Sequence, residues 1–206
     1  MKALFRHLLI WVLLWVVVPA SAQNNTQPDV LIRNTVDEVI AILKQDDGIK
    51  AGDQDRILSL VREKILPHFN FTRMTQLAMG RNWRAATNEQ KRELVREFRT
   101  LLVRTYSNSL TNYRDEVIEV SPTKVKPDDT RAVVRAQVIQ GRGRQAIPID
   151  YSMEKTSDNW KVYDVTISGV SLVTNYRSSF NTQIRDGGVE GLIATLVERN
   201  ESLKGQ

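Results

Sequence analysis

The sequence contains no cysteine among its 206 residues. This absence excludes disulfide bonds, a thiolate nucleophile and thiolate metal ligands. It also excludes a lipid anchor, because such an anchor needs a cysteine directly behind a cleaved signal peptide. The chain must therefore hold its fold by its hydrophobic core alone.

Catalytic residue types are also scarce. There are two histidines, and the one outside the N-terminal segment, His68, lies between Pro67 and Phe69, which is typical of a structural residue at a turn. No GxSxG, HExxH or phosphate-loop motif is present. Asp164 lies in an apolar strand pattern, and an arginine or backbone amide partner explains it more simply than catalysis. We therefore expect a protein that is not an enzyme.

A long apolar run occurs once, at residues 8–18, behind the basic residues Lys2 and Arg6 and before Pro19. The small residues Ala20 to Ala22 follow it. This order is typical of a secretory signal peptide, and the run is shorter than the about 20 apolar residues of a membrane anchor. The sequence therefore predicts a signal peptide at 1–22, cleavage after Ala22 and a periplasmic location.

The charge is nearly balanced, with 29 basic and 24 acidic residues. The predicted signal peptide contains two basic and no acidic residues, so 29 − 2 = 27 basic residues remain against 24, a net charge of +3. Nucleic-acid binding usually needs a concentrated basic face. We therefore expect no nucleic-acid partner.

The remaining residues, 23–206, fit one domain. Apolar residues at helical spacing predict helices at 29–45, 53–66 and 71–79, and a long helix from Thr87 to about Tyr113. Thr87 and Gln90 form a capping box at the start of the long helix. A further amphipathic segment follows Gly169.

The period then changes from helical to two, which predicts strands at 117–121, 132–138, 147–153 and 160–167. Four strands in series with helices before and after them indicate an α+β fold with a four-stranded antiparallel sheet and helices on one face. Ala132 and Ala136 lie on the inward face of the second strand. Either a bulky neighbour such as Trp83 or Phe98 fills the space beside them, or the sheet curves around an apolar cavity.

Three stretches together carry a family resemblance: "AMGRNWRAAT", "LLVRTY" and "DVTISGVSLVTNYRSSF". With the strand region between them, they resemble the MlaC or toluene-tolerance family of periplasmic phospholipid-binding proteins. The resemblance covers about residues 66–200 and implies an NTF2-like or cystatin-like fold. It also implies a glycerophospholipid held tail first between sheet and helices, as cargo and without another cofactor or a metal.

The resemblance implies partners as well. Members shuttle lipid between an outer-membrane lipoprotein/porin complex and an inner-membrane ABC transporter with its periplasmic lipid-binding subunit, which maintains outer-membrane lipid asymmetry. Basic residues on the long helix and at the hairpin tip are candidates for docking on these partners, or else belong to a solvated face: Arg92, Arg96, Arg99, Arg142 and Arg144.

The inward alternation of the strands and the apolar faces of the helices predict the pocket lining. The predicted lining residues are Met74, Met79, Phe98, Leu102, Tyr106, Val134, Ala136, Val138, Ile147, Ile149, Tyr151, Leu172, Val173, Tyr176 and Phe180. Two other functions stay open: an NTF2-like enzyme using Asp164 with Tyr151 or His68, and an adaptor with a filled core and no ligand.

Overall fold

The computed structural model describes residues 26–111, 113, 116–141, 143–157 and 159–204. The predicted signal peptide and Arg142 therefore lie outside the described residues. The helices are α1 (Pro28–Gln45), α2 (Asp47–Lys50), α3 (Gln54–Leu60), α4 (Phe71–Met79), α5 (Asn88–Thr111) and α6 (Leu172–Ser202). The strands are β1 (Val117–Val120), β2 (Arg131–Ile139), β3 (Ile147–Lys155), β4 (Trp160–Ile167) and β5 (Val170–Ser171).

Side-chain caps fix where several of the helices begin, and α3 and α5 are examples. The Asp53 carboxylate accepts hydrogen bonds from the backbone N–H groups of Asp55 and Arg56 at the start of α3. At α5 the predicted capping box is confirmed, because Thr87 N–H donates to Gln90 Oε1 at 2.8 Å and Gln90 N–H donates to Thr87 Oγ1 at 3.1 Å. Each cap satisfies N–H groups that have no partner within the helix.

The predicted helix 53–66 is not regular throughout. Regular α geometry ends at Leu60, and the chain continues as a π-helical turn, Val61–Ile65, and a 3-10 turn, Leu66–His68. Pro67 explains the change, because it has no N–H and its ring clashes with the carbonyl four residues earlier in an α-helix. This irregular segment positions side chains that line the cavity described below.

The sheet is an antiparallel meander in the order β1-β2-β3-β4-β5. The register pairs Ala136 with Ile149 across β2 and β3, and Ile149 with Ile167 across β3 and β4. Alternation along β2 is as predicted, since Val134 and Ala136 are buried while Val133 is 43% exposed on the opposite face. The α+β class with an antiparallel sheet is confirmed, whereas the NTF2-like or cystatin-like assignment stays a prediction.

The predicted strand count of four was wrong, because β5 adds a fifth strand. Ser168 and Gly169 have φ of 49° and 83°, which makes a tight turn, and β5 then pairs Val170 with Ile167 and Ser171 with Thr166. Two residues are too short to show a strand period. The sequence pattern therefore assigned Val170 to the following helix, which begins instead at Leu172.

A second segment covers the same outer edge of β4. Phe69 forms a parallel bridge with Val162, and the Asn70 N–H donates to the Val162 carbonyl at 2.8 Å. The chain that enters α4 is therefore attached to the sheet at a point away from β5.

Apolar residues form three packed clusters. The largest joins α4, α5 and α6, and its centre is the aromatic core of Phe98, Tyr176 and Phe180, with ring centroids 4.9, 5.1 and 5.8 Å apart. A second lies between the sheet and the start of α1, and a third joins α1, α2 and α3. Every helix in the described part of the chain is too short or too polar to cross a bilayer.

Candidate functional site

A cavity of about 400 Å³ lies where the three clusters meet. Its size falls within the range of about 300 to 1,000 Å³ that is usual for small-molecule sites. The side chains that line it come from α1, the irregular segment 61–68, α4, α5, three strands and the first residue of α6, together with Phe69 and Tyr113. Most of these side chains are apolar, so the cavity suits an apolar ligand.

Helix α1 supplies one wall of the cavity. Its lining residues recur at helical spacing and are Ile32, Thr35, Val36, Val39, Ile40 and Leu43. Two contacts hold this helix in place: Arg33 donates to the Val120 carbonyl of β1 at 2.8 Å, and Glu38 pairs with Lys64 of the irregular segment at 2.7 Å.

The sheet supplies the opposite wall. Ile149 and Ile167 form one cross-strand pair in this wall, and Tyr151 and Val165 form the next. Beyond them the facing pair Met153 and Val162 is fully buried, so the cavity ends there. The sheet wall is thus two residue pairs deep.

Tyr106 marks the opening of the cavity. It is 38% exposed and is the most exposed of the lining side chains. Partial burial raises the pKa of its hydroxyl, and the neighbouring Tyr176 hydroxyl opposes this rise. An amphipathic ring at a mouth of this kind can contact an apolar chain and still reach water.

Most polar groups in the cavity wall already have partners. The hydroxyls of Thr35 and Ser107 donate to carbonyls of their own helices at 2.9 and 2.6 Å, and Tyr113 donates to the Glu116 carbonyl at 3.1 Å. These groups therefore add little polarity to the cavity.

Tyr151 differs from them. It is partly buried in the sheet wall and lines the cavity. Burial raises the pKa of its hydroxyl to about 12. No hydrogen bond joins this hydroxyl to any described residue, and it is not one of the fully buried polar atoms.

His68 also lines the cavity, at the end near the Phe69 bridge. Burial lowers the pKa of its imidazole, and the nearby positive charge of Lys161 lowers it further. The ring is therefore neutral at pH 7. Asp164, the other half of the suggested catalytic pair, is not among the residues that line the cavity.

Asp164 has the backbone partners that the sequence favoured over catalysis. One carboxylate oxygen accepts from the N–H groups of Val165 and Val173 at 2.9 and 3.1 Å, and the other accepts from the Ser171 hydroxyl at 2.6 Å. Ser171 in turn caps α6 through the Thr174 N–H. Asp164 therefore joins β4 to the start of α6.

Six of the predicted lining residues do line the cavity: Met74, Leu102, Tyr106, Ile149, Tyr151 and Leu172. The structure places the other nine elsewhere. Those in the α4–α6 cluster are Met79, Phe98, Val173, Tyr176 and Phe180, and those in the sheet cluster are Val134 and Ala136. Val138 and Ile147, the remaining two, pair with each other across β2 and β3 outside the cavity wall.

These residues were misplaced because the alternation of apolar and polar residues identifies the inward face of a strand but not what packs against that face. Leu31 and Ile32 of α1 pack in the same cluster as Ala136, so a helix fills the space that small side chains leave. The neighbours suggested from sequence, Trp83 and Phe98, are in the other cluster. The apolar stripe of α1 was visible in the sequence, but no local signal tied it to a cavity.

The predicted docking residues in the described part of the chain are exposed. Arg96 is held by Glu93 and Glu97 at 3.0 and 2.9 Å, and these acids raise the pKa of its guanidinium, Glu97 most. Arg92 and Arg99, on the same helix face, form no ion pair with a described residue. Arg144 lies beside the hairpin tip, and Arg142 lies outside the described residues.

Comparisons with known proteins give consistent matches. The MlaC protein family model matches residues 33–198. The chain is 25% identical over 191 residues, 92% of its length and 89% of the relative's, to the intermembrane phospholipid transport system binding protein MlaC of Haemophilus influenzae. It is 23% identical to the toluene tolerance protein ttg2D of Pseudomonas putida, over 89% of this chain and 83% of that protein.

A solved structure is also similar. The phospholipid-binding protein of Ralstonia solanacearum, determined in complex with a phospholipid, has a TM-score of 0.79 and 38% sequence identity to this chain. The match covers 86% of this chain and 99% of that one. The likeness therefore extends over nearly the whole of the described fold.

Proposed function

The chain belongs to the MlaC family, and on that basis we propose that it binds a glycerophospholipid and carries it through the periplasm between the outer and inner membranes. The observation that carries this proposal is the apolar cavity of about 400 Å³ between α1, α5 and the sheet. Its opening beside Tyr106 lets acyl chains enter while a charged head group stays in water.

The energetics explain why such a carrier is needed. Two acyl chains hold roughly 30 methylenes, and at about 0.8 kcal/mol each their exposure to water costs on the order of 20 kcal/mol. Unassisted crossing of an aqueous compartment is therefore negligible. A carrier has to cover both chains, and it needs no nucleophile or acid–base pair, in keeping with the roles found for Asp164 and His68.

The partners belong to the same proposal. We expect the protein to collect or deliver lipid at an outer-membrane lipoprotein/porin complex and at an inner-membrane ABC transporter with its periplasmic lipid-binding subunit, and so to maintain outer-membrane lipid asymmetry. Arg92 and Arg99 are the best-supported docking residues, because both are exposed and neither is neutralised by a described acid. Export would use the signal peptide at 1–22, and N-terminal sequencing of mature protein beginning at Gln23 would support this.

Native mass spectrometry of protein purified without detergent tests the binding proposal. A bound mass equal to that of a phospholipid, lost after extraction and regained from vesicles, is the expected result. Protein with no bound mass that takes up nothing from vesicles would favour the ligand-free adaptor. A bound small apolar molecule that is chemically changed on incubation would favour the enzyme.

A further inference from the structure

Helix α6 is kinked so that residues near both of its ends lie beside the same part of α5. The kink is at Gly188, whose φ of 68° and ψ of −169° are not helical. Near the start of α6, the Tyr176 ring lies 4.9 Å from that of Phe98, measured between centroids. Near its end, the Asn200 amide donates to the Glu97 carbonyl at 3.0 Å. The two ends of α6 therefore meet beside adjacent residues of α5.

Arg199 lies near the end of α6, on the helix face that turns toward this meeting point. Leu196 and Leu203, which precede and follow it by about one turn, both pack in the cluster of α4, α5 and α6. Residues at this spacing share one face of a helix. Arg199 itself is exposed, so its stem follows the packed face while its guanidinium stays in water.

The acids nearest to Arg199 do not neutralise it. Glu97 pairs with Arg96, and Glu201 pairs with a lysine three residues later. Glu198 is adjacent to Arg199 in sequence, and adjacent residues of a helix do not face each other. No acid in the described part of the chain forms an ion pair with Arg199, so its guanidinium is available to a ligand.

Three hydroxyls lie beside Arg199 at the mouth of the cavity. Tyr106 marks this mouth, and Thr105 precedes it on α5 and is also exposed. Burial raises the pKa of the Tyr176 hydroxyl and Tyr106 adds to the rise, whereas the charge of Arg199 and the Thr105 hydroxyl oppose it. Each of these groups is thus close to the Tyr176 hydroxyl. One side of the mouth therefore presents three hydroxyls and a guanidinium.

This combination of groups suits a phosphate. A guanidinium binds phosphate oxygens through charge-assisted hydrogen bonds, and tyrosine and threonine hydroxyls are further donors. Arg104 adds a second positive charge, because its guanidinium donates to the carbonyl of Asn200, next to Arg199. A glycerophospholipid that enters tail first leaves its phosphate at the mouth, since burial of that charge in the apolar cavity would be costly.

We propose that Arg199, together with the hydroxyls of Tyr106, Thr105 and Tyr176, binds the head-group phosphate of the glycerophospholipid at the mouth of the cavity. This rests on the proposed function. The acyl chains would supply most of the binding free energy, and these polar groups would distinguish a phospholipid from a lipid that has the same acyl chains and no phosphate.

A competition experiment tests this. Lipid-free protein is mixed with vesicles that contain equal amounts of phosphatidylglycerol and of diacylglycerol with the same acyl chains, and native mass spectrometry measures the two complexes. Wild-type protein should prefer the phospholipid. Arg199→Gln should lower this preference by about threefold to tenfold, as expected for one partly exposed charge-assisted hydrogen bond. Binding of diacylglycerol should not change.

Arg185→Gln is the matched control, because it removes the same charge from an exposed arginine of α6 that is paired with Asp186. It should keep the wild-type ratio. Tyr106→Phe keeps the ring at the mouth and should lower the ratio as well. Lipid-free Arg199→Gln should keep the wild-type unfolding temperature, since its guanidinium has no acidic partner among the described residues to lose.

The outcomes separate this inference from the proposed function. Wild-type protein that binds neither lipid would contradict the carrier itself. Equal binding of both lipids by wild-type protein, an unchanged ratio in Arg199→Gln, or an equal fall in Arg185→Gln would overturn the phosphate site. Calorimetry with inorganic phosphate covers the remaining source of this group. Tight binding of phosphate to lipid-free protein, lost in Arg199→Gln, would assign these residues to free phosphate and overturn the lipid assignment.

Discussion

The aromatic core and the cavity are built from the same kinds of residue but packed differently. In the aromatic core, Phe98 contacts Tyr176 and Phe180 edge to face, with ring centroids 4.9 and 5.1 Å apart. About one and two helical turns farther along α5, Leu102 and Tyr106 face a cavity of about 400 Å³. Helix α5 thus packs tightly along one part of its length and borders a binding site along another.

This difference shows how a chain without cysteine can keep an open interior. Helices α4, α5 and α6 form a close-packed unit, and α6 is tied to α5 by Asn200, whose buried amide donates to the Glu97 carbonyl at 3.0 Å. The cavity lies on the other side of α4 and α5, beneath α1. We infer that close packing within this unit offsets the packing contacts that are missing around the cavity.

The largest expected effect is on the aromatic core. Phe98→Ala should lower the free energy of unfolding by about 3 to 5 kcal/mol, because it removes a fully buried ring from a packed cluster. Denaturant unfolding of the lipid-free protein measures this. Ile149→Ala, in the cavity wall, is the matched comparison and should cost less, since its side chain is incompletely surrounded. Equal losses would mean that the two regions do not differ energetically.

A pair of tryptophan substitutions sharpens the comparison. Ala136→Trp should destabilise the protein by about 1 to 3 kcal/mol, because α1 already packs against the sheet cluster that contains Ala136. Val36→Trp should leave a stable fold and block lipid uptake, because its side chain extends into the cavity. Thermal unfolding and vesicle uptake distinguish the two. A stable, lipid-free Ala136→Trp would mean that the cavity reaches further under β2 than described.

A smaller effect is expected where the two regions meet. Asp164→Ala removes the acceptor for the Val173 N–H and the Ser171 hydroxyl, and should cost about 1 to 2 kcal/mol, as the loss of a helix cap does. Asp164→Asn, which keeps an acceptor oxygen, should recover part of the loss. Lipid uptake at saturating vesicle concentration should not change, and its abolition would instead indicate a direct binding role.

The smallest effect on stability concerns the surface of α5. Reversing Arg92 and Arg99 to Glu should leave the unfolding temperature and the bound lipid unchanged, since neither side chain pairs with a described residue. If these residues dock on the membrane partners, transfer between partner-bearing vesicles should slow and depend less on salt. Reversal of Arg96, which is already paired with Glu93 and Glu97, is the control. Unchanged transfer would identify a solvated face.

The sequence predicted the fold more closely than the cavity. Strand β4 and helix α4 have the predicted bounds, because period, caps and turn residues are local signals. The cavity depends on which surfaces α1 and the segment 61–68 cover, and that is set by contacts between residues far apart in the chain. The start of α6 illustrates this. The helical spacing of Val173, Tyr176 and Phe180 was predicted correctly, but these side chains pack against α5 and do not line the cavity.

The position of Val173, Tyr176 and Phe180 also bears on where the cavity would open. A helix that directly follows a glycine, as this one follows Gly169, is a natural candidate for a gate that swings away from the sheet as one unit. In the structure this helix is anchored in the aromatic core and by Asp164, and only Leu172 reaches the cavity wall. Helix α1, which supplies much of the lining and lies outside the aromatic core, is therefore the better place to look for opening.

The two attachments on the outer edge of β4 have a consequence for solubility at high protein concentration. An uncovered strand edge offers free N–H and C=O groups to other chains and promotes aggregation. Here the segment at Phe69 and Asn70 occupies Val162, and β5 occupies Thr166 and Ile167, so no long stretch of this edge is open for pairing. A strand of two residues that sequence patterns cannot detect thereby covers part of an edge that would otherwise be open to another chain.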